Sequence, residues 1–229
     1  MLRVRSITPI DVPPTELARR QRRYDRLSPA GITVTLDNVG DGAPTALDTE
    51  ADIRASDQLV ARLACDTDAD LFDVVVPDCV LDPGIDAAAP VPVVGLLRLA
   101  AGHCAAVGTR FGAVTRNPAI GDELARRLRR YGLDASFVGN DVLDLDFDAI
   151  ADDARWQAAV CAARDRLASH GARAVLNGCS AVDLGDDAAA GPVVFDPTRL
   201  ALALLGAGEK AGFGIRSPWL DASAPGEQA

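Results

Sequence analysis

Two segments one hundred residues apart follow the same plan. Asp73-Val-Val-Val-Pro-Asp-Cys79 and Arg173-Ala-Val-Leu-Asn-Gly-Cys179 each read as a short apolar strand that ends on cysteine. Downstream, Ile85-Asp-Ala-Ala-Ala-Pro-Val-Pro-Val-Val94 answers Asp186-Asp-Ala-Ala-Ala-Gly-Pro-Val-Val194, so a helix over Pro83 to Ala88 and a further strand are expected to repeat as well. Upstream, Leu2 to Thr8 pairs with Phe111 to Thr115, and Gly31 to Leu36 with Leu133 to Val138. Helical patterns over Pro14 to Arg26, Ala51 to Ala64, Leu96 to Val107, Ala119 to Tyr131, Asp152 to His170 and Thr198 to Ala211 alternate with these strands. That alternation marks an α/β chain with mostly parallel sheets. The expected architecture is two pseudo-symmetric α/β lobes, residues 1–98 and 99–197, each a mostly parallel four-stranded sheet flanked by helices, with the active site in the cleft between them.

In open parallel sheets, ligands bind where the carboxyl ends of strands meet loops and helix N-termini. Cys79 and Cys179 both fall there. Lobes that face each other would set one thiol on either side of a shared cleft. A proton can then leave one face of a carbon while another is returned to the opposite face, which is the geometry of a two-base racemase. Free cysteine has a pKa of about 8.5 that falls near helix N-termini, so thiol and thiolate can exchange roles near neutral pH. A lone cysteine after a strand reads as core filling; two at equivalent positions of a repeat read as a catalytic pair.

The chain carries five cysteines, an odd number without a Cys-x-x-Cys pair, which argues against both a disulfide framework and a zinc site. Cys65, Cys104 and Cys161 lie in helical patterns among Ala and Leu and are expected in the core. A net charge of −10 repels phosphate backbones and anionic lipid, so neither nucleic acid nor membrane is an expected partner. No apolar run is long enough to span a bilayer, since Ala87 to Ala101 is broken by Pro90, Pro92 and Arg98, and Met1 to Ile7 has no apolar leader. A cytoplasmic homo-oligomer with a small-molecule substrate is expected.

Several other features read as structural. Asp82-Pro83-Gly84 resembles a helix start with Asp82 as N-cap. His103 points away from its neighbour Cys104 on a helix, and His170 precedes Gly171 at a helix end. Arg126-Arg127-Leu-Arg129-Arg130 reads as a solvated helix face. Gly206-x-Gly208 follows a helical run instead of a strand, so it lacks the context of a dinucleotide loop. The tail, Ala222 to Ala229, is expected to fray.

At Val76-Pro-Asp-Cys-Val-Leu-Asp-Pro-Gly-Ile85, Val91-Pro-Val-Val-Gly95, Arg110-Phe-Gly-Ala-Val-Thr115 and Val175-Leu-Asn-Gly-Cys-Ser180 the chain resembles the aspartate/glutamate racemase superfamily, in its hydantoin racemase branch. The resemblance implies a cofactor-free isomerase with Cys79 and Cys179 as acid and base. It also implies a last segment, 198–229, that packs back on the first lobe. Substrate is expected against Thr8, Pro9, Ile10, Val80, Thr115, Arg116, Gly178 and Ser180. The hydroxyls of Thr8, Thr115 and Ser180 and the backbone N–H groups after each cysteine are the expected donors to an enolate. Hydantoin racemases usually open with Asn-Pro-Asn-Thr where this chain has Thr8-Pro9-Ile10-Asp11. They tend to carry Glu where Arg98 stands, and a small polar residue where Arg116 could clamp a carboxylate. The sister chemistries are decarboxylation, which keeps only the second cysteine, and cis-trans isomerisation, which uses both. A non-catalytic small-molecule binding protein is the remaining alternative.

Overall fold

The computed structural model describes residues 1–146, 150, 152–184 and 191–216. Its first sheet joins β1 (Leu2–Ile7), β2 (Ile32–Asp37) and β3 (Val74–Pro77) in the order β2-β1-β3. The second joins β4 (Phe111–Thr115), β5 (Phe137–Val142), β6 (Ala174–Asn177) and β7 (Val193–Phe195) in the order β5-β4-β6-β7. Every described pairing is parallel. β3 and β4 are buried along their whole length, as strands covered on both faces must be, and their sequences are correspondingly apolar.

Helices α1 (Pro14–Leu27), α2 (Glu50–Cys65), α3 (Leu96–Ala106), α4 (Pro118–Tyr131), α5 (Asp153–Ser169) and α6 (Pro197–Lys210) cover the sheets. Their starts are written in the sequence. Thr49 and Asp52 form a reciprocal capping box on α2, the Asn117 side chain accepts from Ile120 N at the start of α4, and Asp196 accepts from Thr198 and Arg199 on α6. Ala201, Leu202 and Leu205 of α6 share an apolar cluster with Leu2, Val4 and Val76, which seats that helix on the first sheet.

The repeat is looser than its sequence implies. The first lobe's fourth strand is reduced to a single parallel bridge between Val75 and Val93. No helix forms over Pro83 to Ala88, because Gly84 takes a left-handed φ of +71° and lies so close to Val60 and Ala61 that a Cβ would crowd their backbone. The matching stretch, 185–190, lies outside the described residues, as does the tail beyond 216. Leu133 to Val138 is not the strand that answers Gly31 to Leu36; a 3-10 turn occupies Asp134–Ser136 and β5 begins at Phe137.

Asp82 does cap a helix, though not its own. It adopts a left-handed φ of +50°, and its carboxylate accepts the N–H groups of Leu97 at 2.9 Å and Arg98 at 3.0 Å, at the start of α3. The α3 N-cap is Gly95, where a Cβ would overlap that carboxylate. Tyr131 of α4 donates its hydroxyl to the same group at 3.0 Å, so one side chain ties the first lobe to the second. Arg98, whose backbone is capped here, lays its guanidinium 5.7 Å from the centre of the Tyr131 ring. Burial pushes the Asp82 carboxyl up to about 6, with the two N–H groups, Tyr131 and Arg127 pulling the other way. Since the folded-state value lies above the unfolded one, the charge costs stability above pH 6, and that cost is relieved as the pH falls toward 4. Lowering the pH from 7 to 5 is expected to stabilise the protein relative to Asp82→Asn by roughly 1–1.5 kcal/mol, read from urea unfolding at the two pH values. An unchanged difference would assign the group an ordinary carboxylate.

Candidate active site

One cavity lies between the carboxyl ends of strands from both sheets. Pro9 and Ile10 follow β1, Asp78 to Leu81 follow β3, Arg116 follows β4 and Gly178 to Ser180 follow β6. Arg20 of α1, Leu47 of the loop before α2, Ile120 of α4 and Ile150 complete the wall, and the space, together with its opening to solvent, measures about 520 Å³. Of the residues expected at a substrate, Pro9, Ile10, Val80, Arg116, Gly178 and Ser180 line it with both cysteines; Thr8 and Thr115 do not.

The two sulfurs are held by the same local device. The backbone N–H of Leu81 faces Cys79 Sγ at 3.4 Å, and the N–H of Ala181 faces Cys179 in the same way. No described helix begins at either cysteine, so the expected lowering of the thiol pKa at a helix N-terminus does not occur. Burial pushes the Cys79 thiol up to about 12, against the Leu81 N–H and with the negative charges of Asp78 and Asp82 adding to the rise. Burial also raises Cys179, opposed by the Ala181 N–H and by the cationic Arg20. Cys179 lies near enough to Cys79 to contribute to its upward push. Both groups rest as neutral thiols.

The hydroxyls expected to face an enolate are occupied. Thr8 Oγ1 donates to Ile10 O at 2.9 Å and accepts from Val39 N at 2.9 Å, which fixes the turn after β1. Thr115 Oγ1 accepts from Asn140 Nδ2 at 2.8 Å. Ser180 Oγ donates to Asp78 O at 2.9 Å across the cavity floor, joining the loop of one cysteine to that of the other. The backbone N–H groups of Val80 and Ser180, just after each cysteine, donate to no other described group.

Arg116, expected to clamp a carboxylate, donates through Nη2 to Leu47 O at 3.1 Å and to Asp48 Oδ1 at 2.6 Å. Asn117 Nδ2 reaches the same carbonyl at 2.8 Å. Together they pin the Leu47–Asp48 loop of the first lobe to the second. Gly178 has a packing reason: a Cβ there would overlap Val114 O at the end of β4.

Arg20 and Asp78 are the charged cavity residues that the sequence did not single out, and Leu47, Leu81, Ile120 and Ile150 are the apolar ones. Arg20 is 3% exposed, and its Nε donates to Glu16 at 2.7 Å and its Nη1 to Asp78 at 3.1 Å. Burial disfavours that charge, but the two carboxylates outweigh it and hold the guanidinium firmly protonated. Tyr24 donates its hydroxyl to the other Asp78 oxygen at 2.9 Å. The available signal was helical spacing: Glu16, Arg20, Arg23 and Tyr24 lie on one face of α1 with Leu17 and Leu27, the face that must meet the sheet.

The remaining assignments divide. Cys104 is buried in the core, Cys161 is half-buried, and Cys65, contrary to expectation, is exposed as the last residue of α2. Arg126, Arg129 and Arg130 face solvent, whereas Arg127 is buried between Glu123 at 2.7 Å and Asp57 at 2.6 Å. One member of the basic run therefore tethers α4 to α2. His103 and His170 are exposed and away from the cavity. No described helix is long and apolar enough to cross a membrane.

A family model described as Asp/Glu/Hydantoin racemase matches residues 17–205. No curated protein matches the sequence significantly. Among solved structures, the allantoin racemase of Klebsiella pneumoniae superposes with a TM-score of 0.76 at 20% identity, covering 100% of this chain and 96% of that one. An aspartate racemase of Picrophilus torridus gives 0.58 at 12% identity over 93% and 99% of the two chains. An arylmalonate decarboxylase gives 0.55 at 17% identity over 90% and 93%. At such identities the likeness is one of fold.

Because the buried thiol ionises only at high pH, alkylation of Cys79 by iodoacetamide is expected to climb about tenfold per pH unit from 7 to 10 without levelling off. Site-resolved mass spectrometry measures this, and a plateau between pH 8 and 9 would mean that the thiol is not shifted.

Proposed function

The chain belongs to the Asp/Glu/Hydantoin racemase family, and on that premise we propose that it is a cofactor-independent racemase or epimerase of carbon acids, using Cys79 and Cys179 as its two bases. What supports this reading above all is the meeting of two equivalent strand-end cysteines in one cavity, each sulfur held by the N–H two residues on. In the proposed cycle one thiolate takes the proton from a carbon next to a carbonyl and becomes a thiol. The opposite thiol then protonates the other face and is left as thiolate. The electron pair released at carbon rests meanwhile on the carbonyl oxygen as an enolate, for which the N–H groups of Val80 and Ser180 are the proposed donors.

Simple hydantoins are expected to be poor substrates. Ile10 offers the cavity only apolar surface and Thr8 spends its hydroxyl on backbone, so a ureide N–H or C=O that enters there goes unpaired. Each such loss costs about 1 to 3 kcal/mol, roughly tenfold to a hundredfold in binding.

The test is incubation in deuterium oxide with allantoin, simple hydantoins, amino acids and related carboxylated carbon acids, followed by NMR and chiral analysis. Racemisation with deuterium at the stereocentre is expected. Cys79→Ala and Cys179→Ala are each expected to abolish racemisation while the fold persists, with exchange surviving in one enantiomer at most. Racemisation by either variant at the parental rate would overturn the pairing. A geometrical isomer formed without deuterium uptake would favour the sister reaction, in which one cysteine adds to the substrate as a nucleophile.

A further inference from the structure

The cavity contains a cation whose hydrogen-bonding capacity is not used up. Arg20 spends Nε on Glu16 and Nη1 on Asp78. Its Nη2 makes no hydrogen bond among the described residues, and it is not one of the side-chain nitrogens sealed from solvent without a hydrogen bond. The Arg20 side chain lines the cavity that both thiols line, and Nη2 is the guanidinium nitrogen it has not committed to a described partner. Arg116 across the cavity differs, because its Nη2 already holds Leu47 and Asp48. The hydroxyl of Ser180 is likewise engaged.

From this geometry we infer that Arg20 Nη2 recognises a carboxylate of the substrate, so that the carbon acids taken by this cavity are anionic. This rests on the racemase reading for the word substrate, but not for the anion site itself. Three observations support it. The guanidinium is buried and fixed by two carboxylates, so little side-chain freedom is lost on binding. A spare N–H of a buried guanidinium is most strongly satisfied by an anionic oxygen in a water-poor space. Charge balance also allows it: Arg19 and Arg20 face Glu16 and Asp78, and Arg116 faces Asp48, so the cavity wall bears no excess negative charge that would repel an anion.

Two alkylating reagents of nearly equal size test the site without any turnover. Iodoacetate carries the carboxylate and iodoacetamide its neutral amide, and the exposed Cys65 is an internal reference in the same molecule. The ratio of iodoacetate to iodoacetamide rates at Cys179 or Cys79 is expected to exceed that at Cys65 by roughly tenfold. Malonate is expected to protect the cavity cysteines from iodoacetamide where malonamide does not. Arg20→Gln should erase both preferences, Arg20→Lys should keep part of them, and Arg116→Gln should leave most of the ratio in place. Since Arg20→Gln strands Asp78, the double variant Arg20→Gln/Asp78→Asn provides a neutral pair, with thermal unfolding to verify the fold. Equal ratios at the cavity cysteines and Cys65, or a preference that survives in the folded double variant, overturn the inference. Its loss in Arg116→Gln alone would move the anion site to that residue. If the anion preference stands but no carbon acid exchanges deuterium, the racemase reading fails and the binding site remains.

Discussion

Asp78 is the residue on which the rest of the site depends. Its carboxylate, buried at the end of β3, accepts Arg20 at 3.1 Å and Tyr24 at 2.9 Å; its carbonyl accepts Ser180 at 2.9 Å; its N–H donates to Ile7 O at 2.8 Å. A buried carboxylate that loses its cation costs about 3 to 5 kcal/mol, so α1 has to lie where Arg20 can reach the strand end. Through the carbonyl the same residue fixes the second lobe, since Ser180 adjoins Cys179 and Asp78 adjoins Cys79. The separation of the two thiols is therefore set by one residue of backbone on either side of a single hydrogen bond.

That hub has no twin. In the repeat, Asp78 answers to Gly178 and Val80 to Ser180. The second lobe cannot carry a side chain at 178 because a Cβ would run into Val114 O, and the first cannot shed its carboxylate without leaving Arg20 Nη1 and the Tyr24 hydroxyl without their acceptor. Two halves with a shared backbone plan have thus divided the work, one supplying charge and the other room and a hydroxyl. The surroundings of the sulfurs differ accordingly: Asp78 and Asp82 add to the rise at Cys79, whereas at Cys179 Arg20 opposes the rise to which Asp78 adds. A symmetric pair of thiols is placed in an asymmetric field.

Much of the fold was legible because it follows from periodicity and punctuation. Helix bounds such as Pro14–Leu27 and Pro118–Tyr131 lie where proline and capping residues put them, and Cys79 and Cys179 stood out because the repeat aligned them. What the sequence concealed was decided by tertiary partners. Pro83 to Ala88 has helix-start chemistry, but the packing of Gly84 against α2 and the reach of Asp82 to α3 bend the chain instead. Thr8 and Thr115 have the right hydroxyls at the right strand ends, yet backbone groups claim the first and the Asn140 side chain the second. Arg20 looked like one more charge in a basic helix, and only the buried face of α1 distinguishes it from exposed Arg22.

The resting protonation of the thiols bears on what chemistry such a site can support. A thiol pushed up to about 12 is rarely ionised at neutral pH, which lowers the population of the reactive form, but the thiolate is a correspondingly stronger base once formed. A carbon acid is a far weaker acid than an ordinary thiol, so raising the thiol pKa narrows the energetic gap for proton transfer while it thins the supply of thiolate. The two effects oppose, and a group that lowers the cost of one thiolate without acidifying the other resolves the conflict. Arg20 acts in that direction: it opposes at Cys179 the rise to which Asp78 adds, whereas at Cys79 Asp78 and Asp82 both add to the rise. In the proposed transfer, Cys179 is then the thiol more readily ionised before the carbon acid is deprotonated, and Cys79 the one that keeps its proton until the other face of the carbon needs it.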